Sequence, residues 1–146
     1  MKKLALLLFA ALLSAGVYAN NPNVTEKVLK AFNETFSNAE NVSWHEVDGQ
    51  YSVHFLQSDI RYIVYYNKRG SIISSMRYYK PCLLPTNVLS IIKQQYPGMK
   101  PFGVTEITSG GNMAYFIKVE DGNFWYTIKA DSYGGSEVYE KLKMQH

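Results

Sequence analysis

Two rhythms of apolar residues alternate in long blocks along this chain. Val28, Leu29, Phe32 and Phe36 recur at helical spacing, while Lys27, Lys30, Asn33 and Glu34 take the intervening positions. That pattern predicts a helix with one apolar stripe, opened by an Asn23-Val24-Thr25-Glu26 capping box and ending near Ser37-Asn38. The period then drops to two. Val42–Val47 and Gln50–Leu56 alternate on either side of Asp48-Gly49, a pair suited to the positive φ angles of a tight hairpin. Pairing Val47 with Gln50 sets Trp44 across from Val53 and Val42 across from Phe55. Two further strands follow, at Ile60–Tyr66 and Ser71–Tyr79, joined by an Asn67-Lys68-Arg69-Gly70 turn with Gly70 in the left-handed position.

The helical rhythm returns at Val88, Leu89, Ile92 and Tyr96, with Pro85 predicted at the first helical position and Pro97-Gly98 as the stop. Strands are then predicted near Phe102–Thr108, Met113–Glu120, Asn123–Ala130 and Gly135–Lys141, separated by glycine- and aspartate-bearing turns. The helical stretch recurs 60 positions on, and Tyr51, Val53, Phe55, Ile60, Tyr62 and Val64 recur 64 positions on as Tyr115, Ile117, Val119, Phe124, Tyr126 and Ile128. The reading is an α+β fold: a tandem repeat of a helix plus a four-stranded antiparallel meander, at residues 20–79 and 85–146 with a connector at 80–84. Whether the two sheets join edge to edge is open at this level.

Period-two positions also assign the faces. Tyr51, Val53, Phe55, Ile60, Tyr62 and Val64 are assigned to the helix side. The outward face is assigned His45, His54, Leu56, Arg61, Ile63, Tyr65 and Arg77, then Phe116, Lys118, Trp125, Thr127, Lys129 and Tyr139. A purely solvated face would be built of Thr, Lys, Glu and Ser; this one mixes bulky apolar groups with cations.

Charge and targeting narrow the function. Met1-Lys2-Lys3, the apolar run Leu4–Leu13 and Val17-Tyr18-Ala19 form a signal peptide over residues 1–19. Asn20, rather than cysteine, follows the cleavage point, so the expected product is periplasmic or secreted, with no lipid or membrane anchor. Removing that segment leaves 127 of 146 residues and lowers the formal charge from +3 to +1. Nucleic-acid binding, which needs a clustered basic stripe, is not expected. Cys82 is the single cysteine, and a small buried apolar role is expected for it.

The stretches Val28-Leu29-Lys30-Ala31-Phe32, Ala39-Glu40-Asn41-Val42-Ser43-Trp44 and Tyr65-Tyr66-Asn67-Lys68-Arg69-Gly70, with Leu84-Pro85 before a helix ending Tyr96-Pro97-Gly98, resemble the secreted β-lactamase-inhibitor-like, PepSY-like family of Gram-negative bacteria. The resemblance covers nearly all of the chain after residue 19. It implies tandem α/β units whose sheets form one curved surface with helices on the opposite face. It also implies hydrolase inhibition or peptidase regulation, although lactamase inhibitors of this shape carry disulfides that a single cysteine cannot supply.

Catalytic sets are missing from the pattern. No G-x-S-x-G elbow accompanies the serines, and Glu34, Glu46, Asp48 and Glu106 are scattered, whereas acid–base work needs a pair held in a cleft. His45 and His54 fall diagonally on one face, but Glu46 points the other way and no third ligand is evident. No metal, no cofactor and no enzyme activity are therefore expected. The sequence reading is an exported binding module for an unidentified protein or peptide, using the outward sheet face. A carrier of a small apolar or aromatic ligand, held between helix and sheet, is the alternative, and a homodimer partner or terminal segment is the competing cover for that face.

Overall fold

The computed structural model describes residues 22–145. The signal peptide assigned to residues 1–19 lies outside them. In chain order the elements are α1 (Glu26–Thr35), β1 (Glu40–Val47), β2 (Gln50–Gln57), β3 (Ile60–Tyr66), β4 (Ile72–Tyr79), a 3-10 turn (Pro81–Leu83), α2 (Thr86–Gln95), β5 (Lys100–Ser109), β6 (Asn112–Glu120), β7 (Phe124–Ala130) and β8 (Ser136–Lys143).

The strands form one eight-stranded antiparallel sheet in the order β1-β2-β3-β4-β5-β6-β7-β8. This overturns the tandem repeat of helix plus four-stranded meander. The protein is mostly β, one sheet carrying two short helices. The cause is at its centre, where β4 pairs directly with β5 from Ser74↔Ser109 to Tyr79↔Val104. That ladder satisfies the two edges that separate sheets would leave open to solvent.

The hairpin turns follow local chemistry. Asp48 and Gly49 both have positive φ, at 51° and 74°, as do Ser58 and Asp59 at 51° and 62°. The β1–β2 register matches the expected one from Val47↔Gln50 to Ser43↔His54, then shifts at a bulge before Glu40↔Leu56. Asn41, in the left-handed region at φ 53°, absorbs the extra residue, so Val42 is 40% exposed instead of facing Phe55. Gly70 has a tighter constraint: a Cβ there would stand 2.9 Å from the Lys27 carbonyl oxygen. The β3–β4 turn passes directly under α1.

Both helices cover the same side of the sheet and seal separate apolar clusters. Under α1, Val28 and Phe32 pack with Tyr51, Val53, Phe55, Val64 and Tyr66. Phe32 meets Phe55 edge-on at 5.2 Å and Trp44 at 5.3 Å between ring centroids, a favoured aromatic geometry. Under α2, Val88 and Ile92 pack with Val104, Ile117, Val119 and Ile128. Leu29, placed on the apolar stripe by its spacing, is 37% exposed. The capping box does not form: Thr25 is the N-cap and makes no side-chain cap bond, while the Asn23 carbonyl accepts from the Tyr51 hydroxyl. Pro85 caps α2 and does not occupy its first turn.

Candidate functional site

The sheet face away from the helices is uncovered by any described element, and strand register arranges its side chains in rows. One row runs His54↔Ile63↔Met76↔Ile107↔Ala114 across β2 to β6. Directly paired residues point the same way, so these five side chains form a continuous band. About 7 Å along the strands lies a second row, Leu56↔Arg61↔Tyr78↔Thr105↔Phe116↔Lys129↔Glu137. On the other flank is a hydroxyl-rich row, Ser52↔Tyr65↔Ser74↔Ser109↔Asn112. The face is thus graded from polar through apolar to mixed.

Of the residues assigned to this face, His45, His54, Leu56, Ile63, Tyr65, Arg61, Phe116, Lys118, Trp125 and Lys129 do lie on it. Tyr139 does as well, meeting Phe116 edge-on at 5.3 Å. Arg77 does not. It pairs with Tyr62 and Glu106, which places it on the helix side. Pattern reading missed Met76, Tyr78, Thr105 and Ile107, which occupy the middle of the face. A β4–β5 pairing would have given their parity.

Lys118 and Lys129 on the face are neutralised internally. Lys118 Nζ donates to Thr127 Oγ1 at 2.6 Å and to Glu140 Oε2 at 3.3 Å. The Thr127 hydroxyl also donates to Glu140, and these two partners, the hydroxyl first and then Lys118, hold the Glu140 carboxyl below its ordinary range. Lys129 lies 3.9 Å from Glu137. Such exposed pairs contribute little to stability, but they remove free positive charge, leaving Arg61 without an acidic partner within 4 Å among the described residues.

A groove of about 670 Å³ opens on the same face, with Ile107, Ala114 and Phe116 as its apolar wall and Lys129 and Glu137 at its polar rim. The β7–β8 turn stands beside it. There Asp131 Oδ1 accepts from the Tyr133 and Gly135 amides, while the Tyr133 ring is 94% exposed.

His45 and His54 come together at the β1–β2 end, with ring centroids 4.8 Å apart and planes inclined by 57°. Burial first, and the neighbouring His45 second, lower the His54 pKa, favouring its neutral form. Among the described residues there is no group of three or more His, Cys, Asp or Glu able to hold a metal ion.

Between the two apolar clusters the helix side carries a polar junction. Arg77 Nε and Nη2 donate to Glu106 at 2.9 and 2.5 Å, and the Tyr79 hydroxyl donates to Glu106 Oε2 at 2.8 Å. Burial, then the Glu106 carboxylate, push the Tyr79 pKa far up. Glu106 is 5% exposed and stands on β5 directly opposite Arg77 of β4, so the junction fastens the two halves of the sheet. Cys82, expected to be buried, is exposed in the 3-10 turn after β4.

Comparison with known proteins gives fold-level matches alone. No protein-family model matches the chain, and no curated protein does. Solved structures do match. A DUF2874 family protein from Bacteroides ovatus superposes with a TM-score of 0.63 at 19% identity, covering 84% of this chain and 89% of its own. A BLIP-like protein from Bacteroides fragilis gives 0.64 at 13% identity with the same coverages, 84% and 89%. A Bacteroides eggerthii protein proposed to be periplasmic gives 0.62 at 14%, covering 84% and 90%. These support the β-lactamase-inhibitor-like half of the sequence resemblance, while the PepSY half rests on the sequence motifs alone. The chain therefore shares the fold of these BLIP-like and DUF2874 proteins over most of its length.

Proposed function

We propose that the protein is a non-catalytic binding module of the cell envelope that recognises a protein or peptide through its open sheet face. One observation carries this reading. Ile63, Met76 and Ile107 form an unbroken apolar row across β3, β4 and β5 on the side that neither helix covers. Uncovered apolar area of that kind favours a partner, and aromatic residues at its border supply anchors. Inhibition or regulation of an envelope hydrolase is the form of this reading that the sequence resemblance brings. Periplasmic residence is supported by the basic-then-apolar start of the chain and by the Bacteroides eggerthii neighbour. No helix among the described residues is long and apolar enough to cross a membrane.

The test is affinity capture from native envelope extract with the parent protein and with Met76→Glu, Tyr65→Ala and Trp125→Ala variants. Loss of the same captured protein from the Met76→Glu and Tyr65→Ala samples supports the face. Equal recovery with all three variants, at unchanged thermal midpoints, refutes it.

The groove beside Phe116 favours a second reading, a carrier of a small apolar or aromatic ligand. Its volume is in the usual range for ligand sites, but it lies on the open face, not between helix and sheet. Native mass spectrometry of freshly isolated protein would reveal a bound small molecule, and a bare chain mass would count against this reading.

A further inference from the structure

We propose that His45 and His54 form a two-imidazole site for a divalent first-row transition metal ion, with the remaining coordination positions open to water. A metal-to-imidazole nitrogen bond is about 2.0–2.1 Å, which puts the metal about 3.2 Å from each ring centroid. Two such rings at a ligand angle between square and tetrahedral have centroids separated by about 4.5–5.2 Å. The observed separation is 4.8 Å.

Strand register produces this spacing. Ser43↔His54 and His45↔Ser52 are direct pairs, so the imidazoles are diagonal neighbours on one face of a rigid hairpin. Ser43 Oγ, 3.5 Å from His45 Nε2, adds a weak oxygen donor at the rim. His45 is exposed and His54 half-buried, so an ion can enter from solvent while one ring is held in place by packing. Imidazole suits zinc, copper and nickel, whereas magnesium and calcium prefer oxygen. The site therefore discriminates by softness of the ligand set. It also sits where the apolar row of the open face begins, at His54.

The experiment titrates purified protein, prepared without a histidine tag, with Ni²⁺ alone at neutral pH, following calorimetry and the imidazole NMR signals. The third histidine, His146, is kept in every variant. Both rings should respond together, with one ion bound by the pair. His45→Gln and His54→Gln should each weaken binding by about tenfold or more, because the second ligand of a chelate acts at high effective concentration. Mg²⁺ should give no response. The proposal is overturned if the His45→Gln variant binds Ni²⁺ within about twofold of the parent, or if one ring responds without the other. His45 is exposed and its hydrogen bond, with Ser43, is at the surface, so its variant decides the matter even if His54→Gln fails to fold.

Discussion

Replacing Glu106 by Gln tests how the sheet is held at its centre. The carboxylate is 6% exposed in its side chain and receives Arg77 and Tyr79. Removing one member of a buried ion pair costs about 3–5 kcal/mol, because the other is left charged and unpaired. Arg77, however, keeps 38% of its side chain exposed, so water partly compensates the released guanidinium. The expected loss is therefore about 2–3 kcal/mol. For a domain of this size that lowers the thermal midpoint by about 6–15 °C. Urea unfolding followed by tryptophan fluorescence is a direct assay, since Trp44 lies against the first cluster and Trp125 on β7 in the other half. Arg77→Met should cost more, about 3–5 kcal/mol, because the orphaned Glu106 side chain is only 6% exposed. Arg77→Met with Glu106→Leu should recover part of the loss, since no charge remains buried although the Tyr79 hydroxyl loses its acceptor. A loss below about 0.5 kcal/mol for Glu106→Gln would refute the reasoning, as would a double variant whose loss equals the sum of Arg77→Met and Glu106→Leu measured singly.

Three further outcomes follow from local geometry. Gly70→Ala should destabilise by about 1–3 kcal/mol in denaturant titration, since φ is +85° and the new methyl meets the Lys27 carbonyl. Tyr66 is 1% exposed, its hydroxyl finds no partner among the described residues, and burial pushes its pKa up to about 12. Its neutral form is favoured by folding, so this contribution is intact below pH 10 and is lost as pH rises through about 12. Ultraviolet titration should show a late-ionising tyrosine that Tyr66→Phe removes without loss of stability. Asp121 accepts from the Asn123 and Phe124 amides and the Tyr126 hydroxyl, which hold its carboxyl below the ordinary range. This support is present above the ordinary carboxylate pKa and lost as pH falls through the lowered one; Asp121→Ala should flatten that acid dependence in thermal scans.

The sequence showed most where local chemistry decides. Helix positions follow from Val28 and Phe32, the β1–β2 register from Asp48-Gly49, and the inward faces of β2, β3, β6 and β7 from strict alternation. It was silent where alternation fails. Ile72-Ile73, Ser74-Ser75 and Tyr78-Tyr79 come as like pairs, so β4 offers no inward or outward choice. A register shift at Tyr65/Tyr66, opposite Ser74 and Ile72, moves the parity again. That is why the sequence pattern puts Arg77 on the outward face and passes over Met76 and Tyr78. The single sheet was also illegible, because pairing of β4 with β5 is a long-range choice made across α2. Ile60 lies on β3 yet packs against the α2 cluster, a contact that no local pattern encodes.

Strand order that follows chain order has a mechanical consequence. β1 and β8 are the outermost strands, so the start of β1 and the end of β8 lie at opposite margins of the sheet, about 34 Å apart counted across seven strand spacings. Tension applied through those ends acts along the hydrogen-bond direction and opens ladders one bond at a time. Such peeling needs far less force than shearing a whole ladder at once. A pull at the N-terminal end would therefore lift α1 and then β1, a pull at the C-terminal end would strip β8 first, and the Arg77–Glu106 clasp would be left until last.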